Sequence, residues 1–121
     1  MIDRKRILIV EDEPILAMLI EDMVVELGYA PIGPAMTVEA ALALAASENL
    51  DGAILDMNLG GLPSRPIAES LKARDIPFIF ATGYSSAQAS ALTAGAIGET
   101  MVLRKPFSTQ ALSAALSQMV K

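Results

Sequence analysis

Four short apolar runs punctuate this chain: Ile7-Leu8-Ile9-Val10, Ala53-Ile54-Leu55, Phe78-Ile79-Phe80-Ala81 and Met101-Val102-Leu103. Turn-forming or polar residues bound each run, and helical patterns separate them, so the runs read as strands buried on both faces of a parallel sheet. Just past their ends stand Asp12, Asp56, Thr82 and Lys105. In open parallel sheets, ligands bind beyond the carboxyl ends of the strands. Two acids, a hydroxyl and an ammonium are thereby expected on one edge, a set suited to holding a divalent cation and a phosphoryl group.

The intervening segments supply the helices. Pro14 stands where a helix can begin without losing a needed N–H. Behind it Ile15, Leu16, Leu19, Ile20, Met23, Val24 and Leu27 form an apolar stripe at the 3.6-residue period, and Gly28 provides a stop. A short second strand is expected around Ala30-Pro31-Ile32. Thr37 is placed to cap a second helix with Val38, Ala41, Leu42 and Ala45 inward. Ser64 is placed to cap a third with Ile67 and Leu71 against the sheet. Residues 85–94 read as a weakly amphipathic fourth helix among glycines. From Ser108 a last helix carries Leu112, Ala115, Leu116, Met119 and Val120. Alternation of strand and helix with short connections predicts a doubly wound α/β sandwich spanning 1–121 as one domain.

Composition narrows the chemistry. The chain has no cysteine and no histidine. Thiol catalysis, disulfides, a Ser-His-Asp triad and a phosphohistidine of its own are therefore excluded, and the commonest zinc ligand is missing. A net charge of −5 with scattered basic residues disfavours direct nucleic-acid binding. No apolar stretch approaches the about 20 residues of a membrane span. The apolar run behind the basic start, only four residues before Glu11, is too short for a signal peptide, so a cytoplasmic location is expected.

Glu11, Asp12 and Glu13 cluster between the first strand and first helix, and Asp56 ends another central strand. Acids near a helix N-terminus are favourable in their own right, which accounts for Glu13. Glu11, Asp12 and Asp56 need more: carboxylates at about 4 Å repel by roughly 4 kcal/mol per pair at an effective dielectric near 20. A cation resolves such repulsion, and an all-oxygen ligand set favours Mg²⁺. Asp56 is the candidate nucleophile toward phosphorus. The following Met57-Asn58-Leu59-Gly60-Gly61-Leu62-Pro63 is a glycine-bearing loop able to turn backbone groups toward the site. Lys105, in a turn before Pro106, is placed to pair with Asp56 and then with a phosphoryl oxygen, and Thr82 to donate its hydroxyl to another.

With these residues in place, the chain resembles the receiver domain of bacterial two-component response regulators over essentially its whole length. Ile7-Leu8-Ile9-Val10-Glu11-Asp12-Glu13-Pro14 is similar to the family's first strand and acidic pair, Asp56 to its phosphoacceptor, Thr82 to its switch hydroxyl, and Lys105 in Lys105-Pro106-Phe107 to its lysine. The resemblance implies a flavodoxin-like (βα)5 sandwich around a five-stranded parallel sheet. It implies Mg²⁺ held by Glu11, Asp12, Asp56 and the backbone carbonyl of Asn58. Asp56 would take a phosphoryl group from a histidine kinase or histidine phosphotransfer protein, then lose it by slow self-catalysed hydrolysis. A signalling phosphoacceptor is expected, not an enzyme turning over an external substrate, and a monomer or weak dimer.

Pro77-Phe78-Ile79-Phe80-Ala81-Thr82-Gly83-Tyr84 is similar to a subgroup of stand-alone phosphorelay receivers marked by Phe-Ala-Thr-Gly-Tyr. Receivers usually carry an aromatic three residues before the lysine, where this chain has Val102. The switch is therefore expected to run through Thr82, Gly83 and Tyr84. The chain ends in a helical pattern at Lys121 without a linker, as a stand-alone receiver would; an excised domain is the alternative. Two competing functions remain: a phosphorylation-independent interaction module of the same fold, and an Asp-nucleophile phosphatase, which Asp56-Met57-Asn58 disfavours for want of a second acid. The first helix, with Met18 and Met23, is the expected kinase-docking surface.

Overall fold

The computed structural model describes residues 4–56, 58–59, 62–82, 101–104 and 107–120. Strand β1 (Arg6–Val10) leads into α1 (Pro14–Glu26), followed by β2 (Ala30–Ala35), α2 (Val38–Ser47) and β3 (Gly52–Asp56). A two-stranded antiparallel ladder, β4 (Asn58–Leu59) with β5 (Leu62–Pro63), precedes α3 (Arg65–Ala73). Strand β6 (Phe78–Thr82), β7 (Met101–Arg104) and α4 (Thr109–Met119) complete the described elements. The fourth helix expected over 85–94 lies outside the described residues.

The main sheet has five strands in the order β2-β1-β3-β6-β7, every pairing parallel. That is the flavodoxin-like order of doubly wound folds, in which the strand sequence reverses between β1 and β3. The expected fold class holds. Alternate residues of each central strand enter opposite cores, as the two-residue period of a strand requires. Leu8, Val10, Ala53, Leu55 and Phe80 join Ala41 and Ala45 of α2 and Ile67, Ala68 and Leu71 of α3. Ile7, Ile9, Ile54, Ile79 and Ala81 join Ile20 and Val24 of α1 and Leu112, Ala115 and Leu116 of α4. Gly52 admits the closest approach: a Cβ there would stand 2.6 Å from Met119 Cε and 3.1 Å from Val120 Cγ2, so α4 docks over a bare backbone.

Helix ends follow local chemistry. Thr37 Oγ1 accepts the Ala40 N–H at 3.1 Å and Ser108 Oγ the Ala111 N–H at 3.0 Å, as their types predict. Pro14 opens α1, and Gly28 takes φ +92° just past its end. Ser64 departs from expectation. It sits at the N-cap of α3 with φ −87° and ψ 7°, not the extended geometry a side-chain cap requires, and makes no cap bond. Its buried hydroxyl has no hydrogen-bond partner among the described residues. At the far end of the sheet Arg6 ties β1 to the α2–β3 connection: Nε donates to Asn49 O at 2.6 Å, Nη2 to Glu48 Oε1 at 2.9 Å, and its N–H to Asp51 Oδ2 at 2.8 Å. Arg74 donates to the Ala45 and Glu48 carbonyls, covering acceptors that the end of α2 leaves open.

Two further expectations need correction. Strand β2 runs to Ala35, through Pro34, instead of ending near Ile32; as the edge strand it tolerates prolines. In α1 the buried positions are Ala17, Ile20 and Val24, while Ile15 and Leu19 are exposed. The rest of the expected stripe, Leu16, Ile20, Met23, Val24 and Leu27, packs into the core, and Ala17 is buried as well. Met23 packs against the core, and Met18 faces outward. One substitution made twice in α1 tests this. Ile20→Ala costs about 2–5 kcal/mol by urea denaturation, and Ile15→Ala stays within about 0.5 kcal/mol; equal losses contradict the packing.

Candidate functional site

Two neighbouring strands end at the reversal of strand order, and the acids lie there. Val10 stands in register with Leu55, so Glu11 directly after β1 and Asp56 at the end of β3 come side by side. Asp12 follows before α1 begins at Pro14. One carboxylate oxygen from each of Glu11, Asp12 and Asp56 lies within 4.8 Å of the others. The acids predicted to gather therefore do so, though distant in sequence.

Their surroundings differ. Glu11 is only 1% exposed and Asp56 8%, while Asp12 lies more open to solvent. Glu11 is held through its backbone and its side chain: its N–H donates to Ala35 O at 3.0 Å, and its Oε2 accepts the Glu13 N–H at 3.2 Å. Glu13 itself is exposed and contributes this N–H. The role of Ala35, through its carbonyl, was not visible in the sequence, since any residue carries that group. The one available signal was Gly33-Pro34 just before it, a dipeptide that marks irregular backbone.

Carboxylates this close repel by roughly 3–4 kcal/mol per pair at an effective dielectric near 20. Two of them are nearly withdrawn from water. The donor set is all oxygen, in a chain without imidazole or thiol, and fits a small hard cation; the three acids can hold a metal ion.

The other predicted positions are placed in part. Asp56 pairs in register with Ala81, and the next residue, Thr82, ends β6 opposite Arg104 of β7. Thr82 is thus one position beyond the residue paired with Asp56, at the same sheet edge. Arg104, the residue before Lys105 in the chain, closes the row. Val102 pairs with Phe80 in the middle of β7. Asn58 opens β4 opposite Pro63, so the loop expected after Asp56 contains a short ladder. Met57, Gly83, Tyr84, Lys105 and Pro106 lie outside the described residues.

Known proteins agree with this geometry. A solved structure of SdrG from Sphingomonas melonis Fr1 is 44% identical, covers 98% of both chains and superposes with a TM-score of 0.81. The phyllosphere-induced regulator PhyR of Methylorubrum extorquens is 36% identical over 115 residues, 93% of this chain but 42% of that protein, so the chain spans less than half of that relative's length. The receiver domain of the sensor histidine kinase PA1611 from Pseudomonas aeruginosa PAO1, solved with a magnesium ion coordinated in its active-site cleft, is 26% identical over 97% of this chain and 98% of that one, with a TM-score of 0.83. The family model described as the response regulator receiver domain matches residues 7–117. With nearly every residue inside that match and the acids gathered at the sheet's switch point, the chain belongs to the response regulator receiver domain family.

Proposed function

We propose that this receiver accepts a phosphoryl group on Asp56 from the phosphohistidine of a partner kinase or phosphotransfer protein, and so switches or relays a signal. The observation that carries the reading is the convergence of Glu11, Asp12 and Asp56 within 4.8 Å at the switch point. An Asp56 oxygen attacks phosphorus as the P–N bond to the partner's imidazole breaks, and the bonding pair returns to that ring. Glu11, Asp12, Asp56 and the Asn58 carbonyl would hold Mg²⁺, which would supply positive charge against the phosphoryl oxygens. Burial of Asp56 keeps its carboxylate oriented and limits water beside it. Thr82 and Lys105 take the phosphoryl oxygens, and Thr82, Gly83 and Tyr84 carry the response onward, with Val102 in place of the usual ring. The resemblance to named regulators favours signalling over turnover of a metabolite.

The outer face of α1 supports a protein donor. Ile15, Met18 and Leu19 are 71%, 63% and 49% exposed, neighbours at helical spacing in the first two turns of the helix that follows Asp12. A partner seated there brings its histidine to the Asp56 edge.

Incubation with Mg²⁺ and a small phosphodonor tests the acceptor: intact mass gains one phosphoryl group in the parent and none in Asp56→Asn. Labelling of that variant at the parental rate rules out the assignment. Mg²⁺ at 100 times its dissociation constant raises unfolding free energy by about 2.7 kcal/mol, and Asp12→Asn removes most of that increment at the same concentration. Met18→Glu slows transfer from the cognate phosphohistidine protein by about 10-fold, the weight of one interface hot spot, while transfer from the small donor proceeds at the parental rate. Equal slowing with both donors contradicts docking on α1.

A further inference from the structure

Glu11 lies one residue beyond β1, so the end of its neighbouring strand fixes its position. That strand does not run in simple register. Arg6, Ile7 and Leu8 stand opposite Ala30, Pro31 and Ile32, but Val10 stands opposite Ala35. Two residues of β2, Gly33 and Pro34, therefore oppose Ile9 alone, a bulge of one residue. An unbroken ladder would put Pro34 opposite Val10 and turn Ala35 to the other face. With the bulge, Ile32 and Ala35, three apart, both pack against the core of Leu8 and Val10, and the Ala35 carbonyl receives the Glu11 N–H.

Gly33 makes this path possible. Its φ is +100°, and a Cβ would stand 2.7 Å from Ala35 N and 3.0 Å from Ile9 O, backbone atoms with little room to give. The residues it would press on are the acceptor of Glu11 and the strand residue two before Glu11.

We propose that the Gly33 bulge is a positioning device for the cation cluster: it sets Ala35 O against the Glu11 N–H and so fixes where the buried carboxylate meets those of Asp12 and Asp56. Gly33 is then a positioning residue for divalent-cation binding, an inference that rests on the metal reading above. Groups that hydrogen-bond to a metal's ligands commonly orient them in this way.

Mg²⁺ titrations followed by amide shifts, on the parent, Gly33→Ala and Gly28→Ala, test it. Gly28 has nearly the same φ, +92°, with nothing within 4 Å of its Cβ position, so it reports the general penalty of a side chain at positive φ. Both variants unfold at lower temperature. Gly33→Ala raises the Mg²⁺ dissociation constant by about 10-fold or more, as loss of an outer-shell partner does, and Gly28→Ala leaves it at the parental value. Parental affinity in Gly33→Ala, or equal losses in both, overturns the proposal. A parent that binds no Mg²⁺ overturns the metal reading and this inference with it. Should Gly33→Ala not fold, hydrogen exchange in the parent decides: Mg²⁺ slows the Glu11 amide more than that of Ala30, which bonds Lys5 O at the opposite end of β2, and equal slowing of the two overturns the proposal.

Discussion

Carboxylates gathered at one point repel, and the architecture around this cluster is organised to keep them there. The backbone alone brings them together. Glu11 follows a strand whose neighbours are β2 on one side and β3 on the other, and Asp56 ends β3. Moving either acid away would require sliding a strand whose Ile7, Leu8, Ile9 and Val10 are fully enclosed between two helical layers. A slip of one residue would exchange the contents of the two cores. Core burial therefore helps hold the carboxylates at this edge, and a metal ion or a phosphoryl group with its counter-charges can act on a cluster already assembled.

The same reasoning explains where the sheet concentrates its anchoring. Arg6 binds the amino end of β1 to Glu48, Asn49 and Asp51, and Ala35 holds its carboxyl end through Glu11. Strand β1 is thus fastened at its start by loop residues and just past its end by the last residue of β2. A partly exposed ion pair such as Arg6–Glu48 contributes little to stability by itself. Three bonds from one guanidinium and one N–H into a single loop do restrict that loop's geometry, and so the start of β3.

Much of this was legible before any coordinates. The apolar runs gave four strands of the main sheet because a strand buried on both faces must be apolar throughout, and few other elements are. Asp12 and Asp56 stood out because polar residues directly after such runs have only the sheet edge to occupy. Thr37 and Ser108 were readable as caps since a hydroxyl before a helix has one favoured use. Ser64 shows the limit of that rule: at φ −87° and ψ 7° its backbone lacks the extended geometry that turns a hydroxyl onto the first turn of the helix. The full course of β2 was hidden for a related reason. Its prolines argue against a strand by propensity, and only the edge position and the bulge at Gly33 reconcile them with pairing.

An amphipathic stripe is informative when the other face is polar, and in α1 the other face carries Ile15, Met18 and Leu19. Five of the seven expected apolar positions, Leu16, Ile20, Met23, Val24 and Leu27, pack into the core, and Ala17 is buried as well; Ile15 and Leu19 turn outward. Ile15, Met18 and Leu19 lie in the half of α1 that follows Asp12 in the chain, so the outward aliphatic side chains stand at the carboxylate end of the helix.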